Sequence, residues 1–143
     1  MRLSPHFTLS ELTVTTTGLI NTPGSTETAA LRTLVVEVLE PLRMAIGRPV
    51  HVTSGYRSPS VNAAVNGAPS SQHMRGEAAD IWVDGMAAED LARKIVSLGL
   101  VFDQLIVERD APAERWVHIS YRAGSCRNQM LRKVGSSYTR WTP

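Results

Sequence analysis

The stretch Ser71-Gln72-His73-Met74-Arg75-Gly76-Glu77-Ala78-Ala79-Asp80-Ile81-Trp82-Val83 decides how this chain is read. Its first half has the polar and glycine residues of a loop. Its second half, from Ala78 to Val83, has the apolar run of a strand. Such a loop would deliver His73, and the strand that follows would deliver Asp80, to the same point. Gly76, lacking a Cβ, permits the close backbone approach that this requires. An imidazole nitrogen and a carboxylate oxygen are ordinary zinc ligands, and a catalytic zinc site typically uses three protein ligands plus water. The third candidate is His118, midway along Trp116-Val117-His118-Ile119-Ser120-Tyr121, where Trp116 and Ser120 would share its face of the sheet. On spacing alone, a His and an Asp a few residues apart often arise by chance, and a strand histidine is usually just a satisfied polar group. His6 stands in an opening segment and His51 in a strand among apolar neighbours, so both are read as structural.

Outward from this stretch the chain alternates helical and extended patterns. From Thr26 to Ile46, residues Ala30, Leu31, Leu34, Val35, Val38, Leu39 and Leu42 recur at three- and four-residue spacing, the stripe of an amphipathic helix. Pro41 predicts a kink or a split in its last turns, and Gly47 a stop. Val50-His51-Val52-Thr53 reads as a strand feeding a loop, Tyr56 to Gln72, with one helical turn near Val61–Val65. Loops this long in a compact domain are usually functional. Ala87 to Leu98 reads as a second helix, with Leu91, Ile95 and Leu98 on one face and Gly99 after it. Gln104-Leu105-Ile106-Val107-Glu108 and the Trp116–Tyr121 run predict a hairpin closed by the turn-like Arg109–Glu114. The opening phrase Phe7-Thr8-Leu9-Ser10-Glu11-Leu12 carries a cap at Thr8 or Ser10. Helices that precede and interrupt antiparallel strands predict an α+β fold. The expectation is one domain, residues 1–143, whose small antiparallel sheet carries the site and is flanked by two or three helices.

Composition narrows the functions open to the chain. The 143 residues carry 15 basic and 13 acidic side chains, a net charge of +2. That near-balance argues against nucleic-acid binding, which needs a concentrated basic face. The basic residues Arg122, Arg127, Arg132, Lys133 and Arg140 gather in the tail. No apolar run approaches the roughly 18 residues of a membrane span. The opening MRLSPHFTLSEL lacks the apolar core of a secretory signal, so the chain is expected to be made in the cytoplasm without a cleavable signal. The single Cys126 excludes an internal disulfide and has no recognisable His partner.

Taken together, Ser54-Gly55-Tyr56-Arg57-Ser58, Val61-Asn62-Ala63-Ala64-Val65, Ser71-Gln72-His73 with Gly76, Ala78, Ala79 and Asp80, and Trp116-Val117-His118 closely resemble the D-alanyl-D-alanine carboxypeptidase-type zinc peptidases. These belong with the peptidoglycan metallopeptidases, a group that includes lysostaphin-like enzymes and the hedgehog signalling domain. The resemblance runs from the Phe7–Leu12 opening to the last strand, and His, six residues, Asp, then a later His is its most specific part. It implies one Zn2+ per chain, held by His73, Asp80 and His118. It also implies that Arg57 faces the substrate, where its forked, fixed charge suits a peptide carboxylate or an oxyanion. Ser71 either bonds substrate or shapes the loop.

The general base departs from the better-known pattern. Many relatives carry an acidic residue three positions before the last ligand, or a histidine two before it. Here those positions hold Arg115 and Trp116, neither of which can accept a proton from water at neutral pH. Glu108 is the favoured base, because a strand positions a catalytic group more rigidly than a turn does, and Glu114 is the reserve. The implied substrate is the stem peptide of peptidoglycan, cut at D-Ala-D-Ala, at L-Ala-D-Glu or at a cross-link. Small size and the missing signal suit an endolysin-like monomer acting in the periplasm or cell wall after holin-assisted release. A zinc-stabilised binding module on the same scaffold is the alternative reading.

Overall fold

The computed structural model describes residues 1–109 and 116–143. The turn closing the expected hairpin therefore lies outside the described residues, together with Glu114 and Arg115. A two-stranded ribbon, β1 (Arg2–Ser4) with β2 (Phe7–Thr8), opens the chain. It is followed by a short 3-10 turn, Glu11–Thr13, at whose start Thr8 and Glu11 bond each other reciprocally. The long helical pattern becomes three joined pieces: α1 (Ser25–Leu34), a π-helical segment (Val35–Leu39) and α2 (Glu40–Ile46). The break has a local cause. Pro41 brings no N–H and crowds the turn before it, so the backbone widens there. Glu40 accordingly donates five residues back, to the Val35 carbonyl. Gly47, at φ 71°, ends α2 in the left-handed conformation.

Next come β3 (His51–Ser54), α3 (Pro59–Ala64), a 3-10 turn at Gln72–Arg75, β4 (Ala78–Trp82), α4 (Ala88–Ser97), β5 (Gln104–Arg109) and β6 (Val117–Ser120). Ser58 caps α3 by accepting from the Val61 N–H, with Pro59 in the first turn. Two further strands, β7 (Gln129–Val134) and β8 (Ser137–Arg140), close the chain. The main sheet has six strands in the order β3-β4-β6-β5-β7-β8. The expected α+β class holds, but the sheet is larger than expected and mixed. The tail adds β7 parallel to β5, and β8 returns antiparallel to β7. A two-residue loop, Gly135-Ser136, joins them, with Gly135 at φ 60°.

Side-chain alternation divides the sheet into two faces. Ala79, Ile81, Leu105, Val107, Val117 and Ile119 enter one core with Leu31, Leu34, Val38, Leu39, Leu42, Leu91 and Ile95 of the helices. Truncating any of the large ones to Ala costs about 2–5 kcal/mol. The alternate residues turn to the opposite face. In register across it run Asp80, His118, Ile106 and Leu131, and beside them Glu108, Lys133 and Tyr138. The helices thus anchor the sheet from behind and leave that second face for a cleft. No helix among the described residues is long and apolar enough to cross a membrane.

Candidate metal centre

The three residues expected to converge do so. Ligand atoms of His73, Asp80 and His118 all lie within 4.8 Å of one another. Asp80 and His118 are direct cross-strand partners on β4 and β6, which sets their side chains on one face. His73 comes from the 3-10 turn that precedes β4. The Ser71 hydroxyl caps that turn by accepting from the His73 N–H at 3.2 Å. Gly76 ends it at φ 72°, where a Cβ would lie 2.4 Å from the Glu27 carbonyl oxygen. Glycine is required there twice over, for the backbone conformation and for the approach to α1.

The donor atoms are prepared for a cation. His73 Nδ1 lies 2.7 Å from the Gly55 carbonyl oxygen. A carbonyl can only accept, so Nδ1 carries the proton and Nε2 keeps its lone pair facing Asp80. His73 Nε2 is 3.5 Å, and His118 Nδ1 3.2 Å, from the same Asp80 oxygen, Oδ1. Donors about 2.1 Å from a tetrahedral ion sit about 3.4 Å apart, so the two edges that meet at Asp80 Oδ1 match those of a zinc-sized site. Asp80 is buried, which by itself raises a carboxyl pKa. When no ion is held and the imidazoles of His73 and His118 instead carry protons toward Asp80, their charges and hydrogen bonds outweigh that penalty and hold it well below the usual carboxylate range. The cluster presents an anion and two neutral-capable imidazoles in one place and can hold a metal ion.

These groups form the floor of a cleft of about 890 Å³. Arg57 lines it, with Nε donating to Ser54 Oγ at 3.0 Å and a terminal nitrogen 3.5 Å from Asp80 Oδ2. Its guanidinium therefore touches the carboxylate of the cluster as well as facing the cleft. Glu108 also lines the cleft, and the Trp116 indole N–H donates to its Oε2. Ser71 both shapes the loop and reaches the cleft wall. His6 pairs with Glu40 at 2.8 Å, and His51 pairs with Asp84 at 3.0 Å and stacks on Trp82, so neither joins the cluster. The apolar surroundings expected of His51 are thus an aromatic ring and a carboxylate. Cys126 is a free thiol near the Arg122 carbonyl, away from the cleft.

Two features of the site were absent from the sequence reading. The β7–β8 hairpin supplies a wall of the cleft through Lys133, Gly135, Ser136 and Tyr138. Its signal was available: an extended run, Gly-Ser, then a second extended run is the pattern of a two-residue hairpin. Asp103, fully buried, accepts from Gln72 Nε2 at 2.7 Å and from the Arg127 guanidinium at 2.8 and 2.9 Å. Those bonds tie the residue next to His73 to the start of β5. A lone Asp before a strand carries no pattern that could have marked it.

Fold and site together define an α+β chain with a ready-made three-donor cation site at the base of an open cleft. The family model described as Peptidase M15 matches residues 5–120. The chain belongs to that family, the D-alanyl-D-alanine carboxypeptidase-type peptidases that its motifs resemble, and is a metallopeptidase by membership. The matched span takes in the cluster, Arg57, Ser71 and Glu108 and stops before the β7–β8 hairpin. No curated protein sequence matches the chain.

Proposed function

We propose that this protein is a zinc-dependent peptidase that hydrolyses peptide bonds in peptidoglycan stem peptides, as an L-Ala-D-Glu endopeptidase or a D-Ala-D-Ala carboxypeptidase or endopeptidase, in cell-wall lysis or remodelling. The observation that carries it is the buried His73–Asp80–His118 cluster opening into a cleft that also holds a carboxylate and a guanidinium. Family membership supports the peptide bond as the target.

His73 Nε2, Asp80 and His118 Nδ1 would hold the ion. Bound there, zinc supplies the Lewis acidity that polarises a carbonyl and makes water a nucleophile near neutral pH. The Gly55 carbonyl keeps the His73 ring in its ligating tautomer. Glu108 is one strand from His118 and has one oxygen, Oε2, occupied by the Trp116 indole. Its other oxygen, Oε1, is the base that takes the proton of the attacking water and then returns it to the leaving amine nitrogen. The Trp116 bond restrains the carboxylate rotamer at the cleft wall. Arg57 donates from its remaining N–H groups to the developing oxyanion or to a substrate carboxylate. Among the described residues the Ser71 O–H meets no acceptor, and it can donate to the peptide backbone.

Mass spectrometry of purified muropeptides incubated with the zinc-loaded protein, with and without a chelator, tests the reading. Chelator-sensitive cleavage at one stem-peptide bond is expected. Intact muropeptides after prolonged incubation with the fully zinc-loaded protein would overturn it.

A further inference from the structure

The hairpin that closes the cleft carries a charge the proposed chemistry does not use. On the face of the sheet shared by His118 and Glu108, Glu108 of β5 is in register with Lys133 of β7, and Lys133 with Tyr138 of β8. Lys133 Nζ lies over the Tyr138 ring, 5.8 Å from its centroid, within the range at which an aromatic face attracts a cation. Both side chains line the cleft, and Lys133 is half-buried. Among the described residues no ion pair involves Lys133, whereas neighbouring Arg132 pairs with Glu89. The stacked ring therefore holds a cation in place without neutralising it.

Position gives this charge a meaning. Arg57 stands at the β3–β4 side of the cluster and Lys133 at the far side, so the cleft runs across the strands from one cation to the other. β7 is two strands from the His118 strand, about 10 Å at the usual strand spacing. An extended peptide covers that distance in about three residues. A substrate lying over the cluster and against the hairpin would set a side-chain or terminal carboxylate, two or three residues from the scissile bond, beside Lys133.

We propose that Lys133, held by Tyr138, is a specificity residue that recognises a carboxylate of the peptide substrate on the side of the scissile bond away from Arg57. This rests on the stem-peptide reading above and adds a requirement to it: the preferred substrate carries a free acid group at that distance, and its carboxamide is a poorer ligand. The determinant lies on a hairpin beyond the residues that the family model matches.

The test uses the zinc-loaded protein and a synthetic stem tetrapeptide in which each carboxylate in turn is converted to a carboxamide. Both calorimetric Kd and cleavage rate are measured for wild type, Lys133→Met and Lys133→Arg. One amidation is expected to weaken wild-type binding about fivefold, with a ratio that shrinks at high salt. Lys133→Met should remove that preference while binding the amidated peptide as wild type does, and Lys133→Arg should keep it. The proposal is overturned if Lys133→Met weakens all peptides equally, if wild type ignores every amidation, or if no peptide binds. Binding with the expected preference but without cleavage would uphold Lys133 as a carboxylate site and sink the peptidase reading instead.

Discussion

Among the described residues two carboxylates lie buried, Asp103 and Asp80, and they are used in opposite ways. Asp103 is wrapped by short bonds from Arg127, whose backbone N–H and guanidinium both donate to it, and from Gln72. The Arg127 hydrogen bonds, with Gln72 assisting, hold its pKa at about 2 against the cost of burial. Every partner is a fixed donor, so the group has no vacancy and serves to tie the 71–76 turn to β5. Asp80 is also buried, but its neighbours are two imidazoles at 3.2 and 3.5 Å and a guanidinium at 3.5 Å. The two imidazole separations are loose for hydrogen bonds and right for ligands sharing one cation. A carboxylate saturated by permanent donors is architecture. One whose imidazole partners can turn lone pairs to the same point is a site.

Breaking the site should have the largest effect. Asp80→Ala is expected to lower zinc affinity by more than about a hundredfold and to abolish peptide hydrolysis, as metal analysis and a muropeptide assay would report. Glu108→Gln separates holding the ion from moving a proton. Zinc should remain at one per chain while hydrolysis falls about 10²–10⁴-fold, the usual worth of a general base. Zinc lost along with activity would mean that Glu108 supports the site rather than the chemistry.

Asp103→Asn tests the other half of the comparison. It should cost about 2 kcal/mol in urea unfolding, less than a fully buried pair because Arg127 is half-exposed, and leave zinc stoichiometry unchanged. Acid should expose the same bond. The folded pKa is depressed to about 2, below the ordinary unfolded value near 3.8, so the stabilisation is present above about pH 4. It fades as pH falls through 2, by about 1–2 kcal/mol once the exposure of Arg127 is allowed for. In Asp103→Asn that share of the acid sensitivity should vanish, as parallel unfolding curves at pH 5 and pH 2.5 would show.

The contrast also explains what the sequence made legible. His73, Asp80 and His118 could be read as candidates from local grammar, a polar loop ending in glycine, then a strand, then a later strand with His on its inner alternation, and as a ligand set only through the family resemblance. The fold class and most element bounds were legible for the same reason, since core stripes such as Leu31-Leu34-Val38-Leu42 are written by burial. β7 and β8 were not, because an outer hairpin buries little and its Arg132, Lys133 and Arg140 read as solvated charge. The π-helical segment before Pro41 was visible only as an expected kink. Asp103 was invisible, since its partners Gln72 and Arg127 lie 31 and 24 residues away and nothing local demands them.

The central claim is that one cation sits where His73 Nε2, an Asp80 oxygen and His118 Nδ1 meet. Anomalous diffraction at the zinc absorption edge, from crystals grown with the metal, addresses it without recourse to activity. A single strong peak is expected about 2.1 Å from each of those three atoms. A peak elsewhere on the chain, or zinc-saturated crystals with no peak at that point, would contradict it.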